Sequence, residues 1–431
     1  MFTPQRLFGE VALSPDALSH EPFLERARLQ REQDRDGSAR LALGAYVVAR
    51  LVDKLPLLGS DPELIEGFRW QLEAVRRHVD GLPDDAPETA HLAGVVAAVP
   101  EQGPATSGLW MSLTAYAYFL EHEARLDEAL EILMVAARTQ GAEPAIADFV
   151  GYALSAGRLN RQLARWDTAI SCYEAAEEAA SKIGDPLSAL RGRLGKGAVH
   201  RGQGNYPLAR SVAEDVVHKA TELGLADAQA MAYADLGSIY TLQGLRLDAL
   251  KAHYQAFQLS SDTLQQMRAL SDLAIDLCEI GAREAARLAF QIVINSNAKL
   301  LVRANALLEL MNLESSVGNR VAFERCRAAI TEVGDRLSPS MATDYQFKLG
   351  TGLTRFGQIG RAREVFAAAL TLAEAHGLNA WYFKIEQALN QLSIPREHEP
   401  EYQQTSEPSH PSVVGEVMVG LRDYAALAEC K

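Results

Sequence analysis

The chain has 431 residues and a formal net charge of −14, which excludes a general binder of nucleic acids or anionic membranes because both need a positive field. Hydrophobic residues make up 48% of the sequence, yet no run of 18 uninterrupted apolar residues predicts a membrane span. The four cysteines form no CxxC pair, so the sequence predicts no zinc site and a reducing, cytoplasmic compartment. The first twenty residues lack the pattern of a signal peptide.

Residues 1–100 are predicted to form a helical N-terminal region. Apolar residues recur at helical spacing over 38–56, and a second helix over 61–80 begins at an N-cap, Asp61. A third helix is predicted over 86–99. We interpret these segments either as degenerate repeats or as a cap on the apolar face of the first repeat.

Residues 101–392 repeat a unit of about forty residues, in which a small anchor residue is followed by a turn residue seven positions later. Small residues recur twelve positions after most anchors, and bulky residues sixteen after. Periods of this size indicate stacked pairs of helices. We expect the anchor and the residue at plus twelve to let two helices cross closely, and the bulky residues to fill the gap between successive repeats. The anchors are Ala117, Gly157, Gly197, Gly237, Ala274, Met311 and Gly350. The turn residues are Ala124, Ala164, Gly204, Gly244, Gly281, Gly318 and Gly357.

One repeat departs from this pattern. It has Met311 as its anchor and Phe323 where alanine is expected. We predict that its register slips by one residue, so that Ala322 takes the small position.

Three stretches, 155–176, 236–259 and 349–373, resemble tetratricopeptide repeats. The matching residues in the second stretch are Leu236, Gly237, Tyr240, Gly244, Ala249 and Ala256. The resemblance is to the long-repeat variety found in bacterial regulator and sensor proteins. It implies an all-α, right-handed solenoid of about seven helical hairpins, which binds a protein or peptide segment in its concave groove.

The resemblance also implies that the first helix of each hairpin lines the groove, with inward positions six and three before the anchor and one, four and five after it. The candidate groove residues are Tyr118, Glu121, His122, Arg158, Arg161, Gln162, Arg191, Arg201, Asn305, Asn312 and Arg355.

Four arginines of this set fall on neighbouring first helices of one face: Arg158, Arg161, Arg191 and Arg201. Guanidinium groups pair well with carboxylates. One interpretation is a site for an acidic segment or a C-terminal carboxylate. The alternative is that these arginines pair with acidic residues of the adjacent repeat, such as Glu121.

The sequence after Leu392 changes in composition. Residues 393–412 contain four prolines and no apolar stripe, which predicts a disordered linker. Residues 413–431 are an amphipathic segment that could dock back on the repeats, pair with another chain, serve as a tag for a partner, or cap the last repeat.

Motifs for catalysis are absent from the sequence: it contains no HExxH, GxxxxGK[ST] or GxSxG. The ten histidines show no ligand spacing, so no metal and no cofactor are predicted. The predicted function is therefore that of a scaffold or regulatory sensor rather than an enzyme, with a protein or peptide partner and neither nucleic acid nor membrane. The alternative is a self-associating or autoinhibited module, in which residues 413–431 dock in the groove or on a partner.

Overall fold

The computed structural model describes residues 20–32, 36–101, 105–139, 146–334, 337–392 and 410–429. Within these ranges the chain forms twenty α-helices and no β-strand. Contacts divide the chain into two compact units, Met1–Asn205 and Tyr206–Lys431. No helix in the described ranges is both long enough and apolar enough to cross a membrane.

The first unit contains four N-terminal helices and five helices of the repeats. The N-terminal helices are α1 (Glu21–Glu32), α2 (Asp36–Val52), α3 (Pro62–Asp80) and α4 (Pro87–Ala98). The repeat helices are α5 (Ser107–His122), α6 (Leu126–Thr139), α7 (Ile146–Gln162), α8 (Trp166–Lys182) and α9 (Pro186–Gly202). The predicted cap of α3 is present, since the Asp61 side chain accepts a hydrogen bond from the amide of Glu63 at 3.0 Å.

The second unit continues the repeats and ends with two further helices. Its first five helices are α10 (Tyr206–Glu222), α11 (Ala226–Leu242), α12 (Arg246–Leu259), α13 (Thr263–Glu279) and α14 (Arg283–Asn295). They are followed by α15 (Leu300–Ser316), α16 (Arg320–Thr331), α17 (Pro339–Arg355), α18 (Ile359–Ala375), α19 (Asn379–Leu392) and α20 (Pro411–Glu429).

All seven predicted turn residues adopt positive φ and join a first helix to a second helix. The φ angles are 60° at Ala124 and 56° at Ala164, and the five glycines have values between 73° and 83°. The amide of Arg125 donates to the carbonyl of Leu120 at 2.9 Å, the hydrogen bond of a helix that ends in a left-handed residue. The repeated turns confirm the predicted all-α architecture of tetratricopeptide-like hairpins.

Three anchor glycines leave space for a ring on the second helix of the same hairpin. A Cβ atom at Gly157 would lie 2.7 Å from the Tyr173 ring, and one at Gly350 would lie 2.7 Å from Phe366. His253 occupies the same position beside Gly237. The bulky residues at plus sixteen were expected between successive repeats, but they pack first against their own anchors. The Tyr173 ring packs against its own anchor and also against the next repeat, because it lies at the position that a Cβ atom of Gly195 on α9 would approach.

The predicted register slip near Met311 is wrong. Phe323 is fully buried, whereas Ala322 is half-buried. Gly352 on α17 provides the space for the Phe323 ring, which also packs edge-on against Phe356 at 5.2 Å. A glycine on the next first helix therefore replaces the small residue that is missing from this repeat.

The predicted linker falls mostly on residues 393–409, which lie outside the described residues. Beyond them, α20 is not a cap on the last hairpin. Its buried side chains, Val417 and Leu421, belong to the core of α12–α16, whereas the core around α17–α19 contains Ile385 of α19. The predicted groove lies on first helices, but α20 packs against α14, a second helix.

Candidate functional site

The first helices of unit 1 present two large exposed side chains on one face. Met111 of α5 is 73% exposed and Tyr118 is 52% exposed. Seven residues are close to two helical turns, so the two side chains lie above one another on the same side of α5. We call this surface, with the inward positions of α7 and α9, the first-helix face of unit 1.

Arg158 of α7 connects this face to α5. Its Nε donates to Glu121 Oε1 at 2.9 Å and its Nη2 to Oε2 at 2.8 Å. Gln162 Nε2 donates to the same Glu121 Oε1 at 2.7 Å, and the Arg158 guanidinium lies 5.3 Å from the centroid of the Tyr118 ring. Of the two interpretations of Arg158, pairing with Glu121 is the arrangement present. We call these four residues the Arg158 cluster.

The electrostatics of the cluster keep Arg158 charged. Burial by itself lowers the pKa of the guanidinium, but the hydrogen bonds and the charge of Glu121 outweigh it and raise the pKa. A bidentate pair of this kind also fixes the plane of the guanidinium. Arg158 and Tyr118 are therefore held in place without a ligand.

Little space remains beneath the cluster. Thr114, Leu133 and Ser155 help to enclose a cavity of about 10 Å³ between α5 and α7, which is about the space that one water molecule needs. A ligand segment does not fit between these helices. Any contact with a ligand must therefore be made on the outer surface, where Met111 and Tyr118 are exposed.

The other predicted residues of unit 1 lie around the cluster at different depths. Arg161 is half-buried next to Tyr173, whose pKa is raised by burial and lowered to a smaller extent by Arg161. Arg191 is exposed in the first part of α9. His122 and Arg201 are half-buried at the C-terminal ends of α5 and α9. Of the predicted residues of unit 1, the structure brings Tyr118, Glu121, Arg158 and Gln162 together in the Arg158 cluster.

Two of the three predicted residues of unit 2, Asn312 and Arg355, form a second contact between first helices. Arg355 Nη1 of α17 donates to Asn312 Oδ1 at 2.9 Å, to the Asn312 carbonyl at 3.1 Å and to Ser315 Oγ at 2.6 Å. Burial lowers the pKa of Arg355. Asn305 is half-buried on α15, two turns before Asn312. The structure thus brings Asn312 and Arg355 together and places Asn305 on the same helix as Asn312.

Sequence reasoning missed a buried ion cluster behind α5. Glu88 is 4% exposed and accepts hydrogen bonds from Tyr116 Oη at 2.6 Å and from both Nη atoms of Arg125 at 2.9 and 2.7 Å. Arg26 of α1 donates to the same carboxylate at 3.0 and 3.2 Å. This cluster fixes the side of α5 opposite Tyr118. Its members are scattered along the chain, and no spacing in the sequence connects them.

A second missed contact follows the repeat register. Lys348 Nζ donates to Glu309 Oε1 at 2.8 Å and to Asp344 Oδ2 at 2.6 Å. Lys348 and Glu309 each lie two residues before an anchor, on successive first helices. Comparing this position between neighbouring repeats would have found the pair. In the part of the chain that the structure describes, no group of three His, Cys, Asp or Glu residues could hold a metal ion.

The chain is similar to known proteins in its three-dimensional structure. No protein-family model and no curated protein matches the sequence. The apo form of the quorum sensor NprR from B. thuringiensis aligns with a TM-score of 0.45 and 14% identity, over 82% of this chain and 97% of that chain. NprR in complex with its cognate peptide NprX gives a TM-score of 0.44 and 14% identity, over 86% and 97%.

A STAND signal-transduction ATPase with a tetratricopeptide repeat sensor, from Pyrococcus horikoshii, also aligns. It gives a TM-score of 0.43 and 13% identity, over 89% of this chain and 55% of that chain. The repeated hairpins and their left-handed turns define the fold of this chain.

Proposed function

We propose that the chain is a non-catalytic sensor or scaffold that binds a peptide or protein segment on the first-helix face of unit 1. The observation that carries the proposal is Tyr118, which is 52% exposed although Arg158 and Glu121 hold the surface next to it in a fixed arrangement. Exposed aromatic residues beside an ordered arginine are typical of the residues that dominate binding interfaces.

Two features of the face favour binding. Met111 is a flexible apolar side chain that adapts to different partners, and with its exposed fraction of 73% it extends the apolar surface beside Tyr118. Because Arg158 is already fixed by Glu121, a ligand that contacts it loses less side-chain entropy than it would in ordering a free arginine. The affinity would then come mainly from burial of Met111 and Tyr118.

The charge of the face restricts the ligand. Glu121 already neutralises Arg158, so an acidic group of the ligand would have to compete with a carboxylate at that position. Arg191 is exposed on the neighbouring helix α9 and is a better partner for a ligand carboxylate. We therefore propose a segment with an apolar side chain for Met111 and Tyr118, and an acidic residue or a C-terminal carboxylate for Arg191.

The proposal is tested with peptides selected by the full-length protein from a random peptide display library. Selected peptides are labelled, and their affinities are measured by fluorescence anisotropy for the wild type, Tyr118→Ala and Arg191→Glu. We expect Tyr118→Ala to weaken binding at least about tenfold, the effect of losing a typical aromatic hot spot. Arg191→Glu should weaken only the acidic peptides.

A matched control exists in the same unit. Trp70 of α3 is 69% exposed and is not part of the first-helix face. Trp70→Ala should leave the affinities unchanged. If the selected peptides bind Tyr118→Ala as tightly as the wild type, or lose affinity only in Trp70→Ala, the first-helix face of unit 1 is not the binding surface.

A further inference from the structure

The C-terminal helix α20 packs through one face on the core of unit 2. Val417 and Leu421 are 1% and 0% exposed, and both belong to the cluster that contains Tyr254 and Phe257 of α12. The Tyr424 ring packs edge-on against Phe257 at 5.1 Å. Val417, Leu421 and Tyr424 follow helical spacing, so one stripe of α20 supplies these contacts.

Gly420 determines how closely α20 approaches α12. A Cβ atom at position 420 would overlap the Tyr254 hydroxyl, whereas one at Gly415 of the same helix would meet nothing within 4 Å. The small residue therefore stands at the point where the helix crosses Tyr254. This fit makes the surface selective for a helix with glycine at that position.

A polar contact fixes the register of the docked helix. Tyr424 Oη donates to Gln266 Oε1 of α13 at 2.9 Å, and Gln266 Nε2 donates to the carbonyl of Phe257 at 3.3 Å. Gln266 therefore links α12, α13 and α20. We call Tyr254, Phe257 and Gln266 the docking surface.

The docked helix is joined to the rest of unit 2 only through a long connection. Residues 393–409 stand between α19 and the start of the α20 region, and seventeen residues span at most about 60 Å. The opposite side of α20 is open, with Val419 58% and Leu427 67% exposed. The helix is thus bound through one face, and its connection is long enough to reach a second molecule.

We propose that the docking surface also binds α20 of a second copy, so that two copies of the chain exchange their C-terminal helices. The surface is built from α12, α13 and α14 of one copy, and every copy carries the helix that fits it. An exchanged helix makes the same contacts as its own, so the exchange costs mainly the entropy of association. This inference is independent of the peptide-binding function proposed for unit 1.

The helix of the same copy has an advantage over that of a second copy, because its covalent connection gives it an effective concentration of about 1 mM at the docking surface. The test therefore disables docking within each copy. One full-length variant, Leu421→Asp, has a helix that cannot dock and an intact surface. The other, Phe257→Asp, has an intact helix and a damaged surface. In their mixture, the intact docking surface of Leu421→Asp can bind only the intact helix of Phe257→Asp.

We expect each variant alone to sediment as a monomer and the mixture to form a 1:1 dimer in analytical ultracentrifugation up to about 0.5 mM, near the effective concentration of the tether. Replacing the first variant by Leu427→Asp, whose substitution lies on the open side of α20, should lower the fraction of dimer, because that copy's own helix competes for the same surface. A mixture of folded variants that remains monomeric overturns the proposal.

A second measurement applies if Phe257→Asp fails to fold, as judged by circular dichroism. A labelled peptide of residues 410–429 is titrated with full-length Leu421→Asp, whose docking surface is open. Saturable binding at one site, which is lost when the peptide carries Gly420→Leu, supports the exchange. Absence of binding overturns it.

Discussion

The guanidinium of Arg158 and the carboxylate of Glu121 form a bidentate pair between α7 and α5, with N–O distances of 2.9 and 2.8 Å. The pair joins two successive hairpins and supports the exposed ring of Tyr118. It also neutralises one of the four arginines that the sequence places on this face. The strength of this pair therefore affects the stability of unit 1. It also affects how strongly the first-helix face favours a negatively charged ligand.

Glu121→Gln removes the charge of this pair and keeps its shape. We expect the free energy of unfolding to fall by about 1–2 kcal/mol, because a half-buried charged hydrogen bond is replaced by a weaker one. Acidic peptides selected by the wild type should bind this variant more tightly, since Arg158 is no longer neutralised. Urea denaturation and fluorescence anisotropy measure the two effects. Glu174→Gln, at an exposed position of α8, is the control and should change neither.

Gly157→Ala tests the role of the anchor glycines. The new methyl group would lie 2.7 Å from the Tyr173 ring, so we expect the free energy of unfolding to fall by about 1–3 kcal/mol. Gly151 lies on the same helix, where a Cβ atom meets nothing within 4 Å. Gly151→Ala should raise the free energy of unfolding by up to about 1 kcal/mol, because alanine favours helix over glycine. Equal effects of the two substitutions in urea denaturation would contradict this account of the repeat.

Ala164→Gly tests the strain in the turns. Ala164 has a φ of 56°, a conformation that costs residues other than glycine about 1–2 kcal/mol. Part of the gain is offset by the larger chain entropy of glycine when unfolded, so we expect the free energy of unfolding to rise by about 0.5–1 kcal/mol. The reverse substitution Gly244→Ala, at a φ of 73°, should lower it. Thermal melts of both variants would disprove the interpretation if their midpoints move in the same direction.

The buried carboxylate of Glu88 predicts how unit 1 responds to acid. Burial by itself raises its pKa, but the hydrogen bonds and charges of Arg125, with those of Arg26 and Tyr116, lower the pKa to about 2, from 4.5 for the free side chain. A group whose pKa is lower in the folded state contributes stability above its unfolded pKa. This contribution is therefore complete above about pH 4.5 and is lost as the pH falls towards about 2.

The variant Glu88→Gln should lower the free energy of unfolding at pH 7 by about 2–3 kcal/mol, because it weakens the charged hydrogen bonds at position 88. Glu128 remains as a buried carboxylate that pairs with both Arg26 and Arg125. It should also flatten the loss of stability between pH 4.5 and 2. Urea denaturation across this pH range measures both effects. A variant with the same acid profile as the wild type would show that other carboxylates cause the acid sensitivity.

The fold could be predicted in detail because its determinants are local and periodic. The seven turn residues, from Ala124 to Gly357, stand at fixed distances from their anchors, and each adopts the left-handed conformation that a tight helical turn requires. The helix starting at Asp61 could be predicted for the same reason, since its cap lies within the first turn. The exception is the burial of Phe323. It could not be predicted from nearby residues, because the space for its ring is provided by Gly352 on a different hairpin.

The sequence by itself determined the repeat and the residues of each first helix that point in the same direction, because helical geometry links residues a few positions apart. Only the tertiary structure decided which of these side chains are available. Arg158 is paired with Glu121, and Glu88 is buried with Arg26, Tyr116 and Arg125. The helix α20 packs mainly on α12 and α14, which are second helices. Such pairings depend on contacts between residues far apart in the chain. Their energies come from burial and from the partners that burial brings together, which no local pattern records.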